Sequence, residues 1–190
     1  MTYLNRFKAL TLLGLIFMGL HTHASTSSQT AILAGGCFWG MEEVYRTIPG
    51  VLKTEVGYTG GAVVNPTYEQ VSRGGTGHAE SLRVEFDPKK ISYQEILKIF
   101  FRMHDPTSLN RQGNDIGTQY RSEIFYLNSA QKEDAEKVIY LVNQAKKWPS
   151  PVVTKLEPAK KFYPAEEYHQ KYLVKNPHGY NDHYLRDFKF

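Results

Sequence analysis

Ala31-Ile32-Leu33-Ala34-Gly35-Gly36-Cys37-Phe38-Trp39-Gly40-Met41-Glu42-Glu43-Val44-Tyr45 reads as an apolar strand, a Gly-rich turn and the first turns of a helix. It contains the only cysteine of the 190 residues. Gly35, Gly36 and Gly40 flank the thiol, and each glycine costs about 0.5–1 kcal/mol in a regular element. An inert core cysteine needs no such neighbours. A turn that lets a ligand approach the backbone does. At the start of a helix, orphan N–H groups and the dipole would favour a thiolate, so Cys37 is the first candidate nucleophile.

Working outward, Val51–Val56 reads as a strand closed by Gly57, and Thr67–Ser72 as a short helical turn. In Ser81–Phe86 the residues Leu82, Val84 and Phe86 alternate onto one face, the period of a half-buried strand. Ser92 with Glu95 makes a capping box and opens a helix to about Met103, with Ile96, Ile99, Phe100 and Met103 inward. His104 to Tyr120 has no periodicity, and loops of that length in compact domains are usually functional. Glu123–Leu127 reads as a strand, Ala130–Lys147 as a helix, Val152–Leu156 as a strand and Glu166–Val174 as helical. The interleaving predicts an α+β fold, a two-layer mixed sheet with helices around a split βαβ, ferredoxin-like core.

The first 24 residues read as an export signal. Arg6 and Lys8 form a basic start, Ala9–Leu20 is an uncharged apolar stretch, and Thr22-His23-Ala24 offers small residues for cleavage. This mostly apolar stretch of 12 residues falls short of the roughly 20 that span a bilayer. The expected product is one domain over 25–190, exported to a periplasmic or extracellular space, with an uncleaved N-terminal membrane anchor as the alternative. Loss of Arg6 and Lys8 lowers the formal charge from +4 to +2, too little for a nucleic-acid footprint.

Four segments carry chemistry-bearing residues that neither core packing nor solvation accounts for: 35–40, 57–80, 104–121 and 176–180. They hold Asn65-Pro66-Thr67-Tyr68, Thr76-Gly77-His78-Ala79-Glu80, Arg111-Gln112-Gly113-Asn114-Asp115, Gln119-Tyr120-Arg121-Ser122 and Asn176-Pro177-His178-Gly179-Tyr180. Together they offer a nucleophile, a carboxylic acid, phenolic donors and an aromatic wall, and no metal-ligand cluster. His78 and His104 read as structural, Asp115 as either a turn former or a site residue, and Glu157, Glu166 and Glu167 as solvated surface.

These segments, in this order, resemble the A-type methionine sulfoxide reductases, the peptide methionine-S-sulfoxide reductases, from about Ala31 to Tyr180. The resemblance implies Cys37 as nucleophile, Phe38 and Trp39 as the substrate's methyl pocket, and Tyr68, Glu80, Asp115 and Tyr120 around the sulfoxide oxygen. It implies the S epimer and substrates that are oxidised proteins and free methionine sulfoxide; no bound cofactor and a monomer are expected. Many members of that family carry resolving cysteines in a Gly-rich tail, after Asn-Pro-x-Gly-Tyr. Here Asn181-Asp182-His183 follows Tyr180. The chain is therefore expected to be a single-cysteine variant whose sulfenic acid is resolved by an external thiol, from a thioredoxin-type protein or glutathione.

Two other readings compete. A papain-like thiol hydrolase would pair Cys37 with His169 or His178, which follow it by 132 and 141 positions. A non-catalytic module could bind methionine-rich or oxidised peptides with its thiol incidental.

Overall fold

The computed structural model describes Met1 and residues 27–190. Apart from Met1, the expected export signal lies outside the described residues. The elements run β1 (Gln29–Gly35), α1 (Phe38–Tyr45), β2 (Val51–Thr59), α2 (Tyr68–Ser72), β3 (Ala79–Phe86), α3 (Tyr93–Met103), β4 (Arg111–Gln112), β5 (Asp115–Ile116), β6 (Ser122–Tyr126), α4 (Ser129–Ala145), β7 (Lys155–Pro158), β8 (Tyr163–Pro164) and α5 (Tyr172–Lys175).

Six strands form one mixed sheet in the order β7-β6-β1-β3-β2-β8. β3 lies between β1 and β2, and β1 between β3 and β6, so β1-α1-β2 and β3-α3-β6 are two interlocked split βαβ units. This is the ferredoxin-like arrangement, here extended by β7 parallel to β6 and by β8 on the β2 edge. β4 and β5 pair separately as a small hairpin.

Strand alternation fixes what faces what. Ala31 and Leu33 of β1 join Leu82, Val84 and Phe86 of β3 against α1, α3 and α4 in the main core. Ile32 and Ala34 point the other way, into a smaller cluster with Ala79 and Phe125. The capping box at Ser92 and Glu95 is present, and it sets α3 so that Ile96, Leu97, Phe100, Phe101 and Met103 are all buried. Each side chain of that size contributes about 1.5–3 kcal/mol on burial. Glu80 shares the period-2 face of Leu82, Val84 and Phe86. Its carboxylate therefore stands in the helix-side layer, beside the start of α1.

Several boundaries differ from the sequence expectation. β2 runs through Gly57 to Thr59 because β8 pairs there; a Cβ at Gly57 would collide with the Tyr163 carbonyl and the Phe162 ring. The strand expected at 152–156 is displaced to 155–158, where it finds β6. The segment 104–120 contains the β4–β5 hairpin and a 3₁₀ turn over Thr118–Tyr120. The stretch 166–174 is mostly turns, with helix only over Tyr172–Lys175. No helix among the described residues is long and apolar enough to cross a membrane.

Candidate active site

Cys37 is the N-cap of α1, at the C-terminal end of β1. The turn before it requires glycine. Gly36 has φ +106°, and a Cβ on it would come 2.8 Å from Gln112 and 3.0 Å from the His183 ring. His183 Nε2–H donates to the Gly35 carbonyl at 2.8 Å, so the C-terminal tail fastens the turn from below.

The helix N-terminus does not make Cys37 a thiolate in the resting protein. The residue is 7% exposed, and burial, reinforced by the Glu80 charge, pushes the thiol well above its ordinary value. A backbone hydrogen bond at Trp39 opposes this more weakly. Desolvation outweighs the helix terminus, and the sulfur keeps its proton.

One cavity of about 190 Å³ is lined by Cys37, Phe38, Trp39, Tyr68, Glu80, Asp115, Tyr120 and Tyr180. All seven site residues expected from the sequence meet there, drawn from α1, α2, β3, β5 and the 3₁₀ turn. Glu80 is 2% exposed, and burial raises its carboxyl to about 8, with the Asp115 and Asp182 charges adding to the rise. Its Oε2 accepts the Phe38 N–H at 3.1 Å, which opposes the rise. Burial and then the Glu80 charge hold the Tyr68 and Tyr120 phenols above their ordinary value, so both remain O–H donors.

Asp115 is raised by burial and by Asp182, and it accepts a hydrogen bond from Tyr180 Oη at 3.2 Å. Tyr180 is a site residue that the sequence marks only by its Asn-Pro-x-Gly-Tyr turn, one of the four unusual segments. The pairing spans 65 positions, which no local pattern reveals.

The aromatic wall is held from behind. Trp39 Nε1–H donates to His169 Nδ1 at 3.0 Å, and the indole stacks on Tyr172 with centroids 3.8 Å apart and planes 13° off parallel. This arrangement removes the base from the papain-like reading. Nδ1 of His169 is occupied by an indole N–H, burial lowers the ring's basicity, and neither His169 nor the exposed His178 lines the cavity.

Glu166 corrects a second expectation, since it is not simple surface. Its carboxylate accepts the Tyr58 hydroxyl and the Tyr68 N–H, each at 2.9 Å, and so anchors the start of α2. Gln119 Nε2–H donates to the Ser72 carbonyl at 3.0 Å, tying the Tyr120 turn to the far end of α2. His78 and His104 are structural. His78 cross-links the Gly61–Val63 loop, and His104, lowered to about 3 by burial, bridges the Phe100 carbonyl and Ser122. Among the described residues no group of three or more His, Cys, Asp or Glu side chains could hold a metal ion.

A buried protonated acid beside a lone thiol, with phenols opposite and an indole at the wall, defines a thiol-based catalyst. The model of the family described as peptide methionine sulfoxide reductase matches residues 29–189, and the chain belongs to that family. Peptide methionine sulfoxide reductase MsrA from Pseudomonas fluorescens is 52% identical over 159 residues, covering 84% of this chain and 74% of that protein. A probable peptide methionine sulfoxide reductase of Schizosaccharomyces pombe is 54% identical over 165 residues, covering 83% and 96%. Among solved structures, the reduced form of Mxr1 from Saccharomyces cerevisiae superposes with a TM-score of 0.81 at 41% identity, covering 86% of this chain and 94% of that one. Mxr1 in complex with Trx2 also matches, with a TM-score of 0.59 at 28% identity, covering 86% and 93%.

Proposed function

We propose that this protein is a repair oxidoreductase that reduces methionine-S-sulfoxide, free and within proteins, to methionine. The observation that carries this reading is the convergence of Cys37, Glu80, Tyr68, Tyr120 and Asp115 with Phe38 and Trp39 on one small cavity. The S epimer follows from the family alone.

The substrate's S-methyl group sits against Phe38 and Trp39, where sulfur–aromatic contacts contribute about 0.3–1.5 kcal/mol each. The sulfoxide oxygen lies toward Glu80, Tyr68 and Tyr120, with Asp115 and Tyr180 completing the polar side. Bare oxide is a very poor leaving group, so the oxygen must be protonated as it departs. With its carboxyl raised to about 8, Glu80 holds its proton at neutral pH. It gives that proton to the oxygen as Cys37 Sγ attacks the substrate sulfur, and takes up the thiol's proton in exchange. The phenols hold the oxygen while charge moves.

The attack forms an Sγ–S bond while the substrate S–O bond breaks and the protonated oxygen leaves as hydroxide; that hydroxide then adds to Sγ, and the Sγ–S bond breaks to free methionine. Methionine sulfur gains two electrons and Cys37 loses two, becoming a sulfenic acid. The net step needs no proton from solvent, which suits a thiol that rests protonated.

Regeneration consumes two external thiols. The first displaces water to give a mixed disulfide on Cys37, and the second releases the thiol and carries away the disulfide. A thioredoxin-type protein or glutathione supplies them. The Mxr1–Trx2 complex supports a protein donor. With residues 1–24 acting as an export signal, the reaction takes place outside the cytoplasm.

The test is methionine formation from free methionine sulfoxide with dithiothreitol, and its loss in Cys37→Ser. A hydrolase or a binding module forms no methionine.

A further inference from the structure

A second cavity, about 400 Å³, lies on the face of the sheet opposite the helices, lined by Arg121, Glu123, Phe125, Gly60, Gly77 and Thr118 among others. Strand alternation puts it there. Ile124 enters the helix-side core, so Glu123 and Phe125 point to the other face. Tyr120 and Arg121 are adjacent, with Arg121 in extended backbone at φ −67° and ψ 155°. Where the 3₁₀ turn passes into extended backbone, Tyr120 lines the catalytic cavity while Arg121 lines the rear one.

The Arg121 guanidinium is buried, and every arm is engaged. Nε–H donates to Glu123 Oε2 at 2.6 Å, Nη1–H to the Thr118 carbonyl at 2.8 Å and Nη2–H to the Gly77 carbonyl at 3.1 Å. Thr118 opens the turn that presents Tyr120. Gly77 lies three residues before Glu80, in the segment that feeds β3. Gly60 leaves room for this cation, since a Cβ on it would come 2.7 Å from Nη2 and 2.9 Å from Phe125.

We propose that Arg121 is the positioning residue of the site: one guanidinium bridges the turn carrying Tyr120 and the segment carrying Glu80, and fixes their separation from behind the sheet. The planar fork matters. Five N–H donors in fixed directions reach three acceptors on three segments, whereas an ammonium offers its donors from a single point. Glu123 neutralises the buried cation, whose other two partners are neutral carbonyls. Misplacing either oxygen-facing group by an ångström can cost on the order of 10²-fold in rate without touching the methyl pocket.

This inference rests on the reductase reading above, and the experiment separates the two. Single-turnover methionine release is measured for wild type, Arg121→Ala and Arg121→Lys across substrate concentrations, with and without low-millimolar guanidinium chloride, with urea and sodium chloride as controls. The expected result is a kcat lowered about 10²-fold in both variants with KM little changed. Guanidinium alone should enter the vacated rear cavity and restore at least tenfold of the Arg121→Ala loss. Wild-type rates in either variant overturn the proposal, and so does a loss in folded Arg121→Ala that guanidinium leaves untouched. Should Arg121→Ala fail to fold, an unchanged kcat in Arg121→Lys overturns it and a lowered kcat at constant KM supports it. Absence of methionine formation by wild type would refute the reductase reading instead. The positioning role is then read from thermal unfolding: guanidinium should raise the Tm of Arg121→Ala and not of wild type, and no rise overturns it.

Discussion

Phe38 and Glu80 are joined across 42 positions by a hydrogen bond from the Phe38 N–H to Glu80 Oε2 at 3.1 Å. The first residue of α1 thereby fixes the acid relative to the nucleophile that caps the same helix. The contact is buried, and the acid sits on a strand rather than a loop.

Glu80→Gln keeps the shape and the acceptor for Phe38 but has no carboxylic proton to give. The reduction step should slow by about 10²–10⁴-fold with substrate affinity little changed. Single-turnover methionine release measures it, and a wild-type rate at neutral pH would refute the role.

The same carboxyl predicts a pH dependence. In the folded protein Glu80 holds its proton up to about 8, against an ordinary 4.5. Reduction by wild type should therefore decline as pH rises through about 8. An unfolded chain releases this proton near 4.5, so the unfolded state binds fewer protons across the window. The group's contribution to stability is present below about pH 4.5 and is lost progressively up to about pH 8. Urea midpoints of wild type should show that slope, and Glu80→Gln should show a shallower one.

Tyr68 and Tyr120 reach the cavity from α2 and from the 3₁₀ turn, so either phenol can hold the oxygen when the other is lost. Tyr68→Phe and Tyr120→Phe should each slow reduction less than Glu80→Gln does, and the double variant should lose far more than the sum of the two free energies. Strict additivity in the double-mutant cycle would show that the two act independently.

The proposed export signal is tested by the N-terminus of the protein recovered after expression of the whole chain, which should be Ser25. Recovery of an N-terminus at Met1 in the membrane fraction would favour the anchor.

Local rules carried much of the fold. Ser92 and Glu95 lie three apart and cap α3 on their own, and the alternation in Ser81–Phe86 needed only its own six residues. What depended on distant partners stayed hidden. Gly57 read as a strand end because β8, which pairs with it, comes some hundred residues later. Glu166 read as surface because its partners Tyr58 and Tyr68 lie 108 and 98 positions away. The site residues were legible as types in unusual segments, whereas the protonation of Cys37 was not. A helix start is visible in sequence, but the burial that overrides it, and the Glu80 charge that adds to it, come from residues distant in the chain.

The central claim is that Cys37 alone takes the oxygen from methionine sulfoxide. Enzyme freed of reductant is mixed with excess methionine-S-sulfoxide, and both the methionine released and the mass of the Cys37 peptide are measured, with a dimedone-type probe and then with glutathione. One methionine per chain, a sulfenic acid trapped at Cys37, and conversion to a glutathione adduct when glutathione is added are the predicted results. Continued turnover without any thiol, or methionine release from Cys37→Ser, would contradict the account.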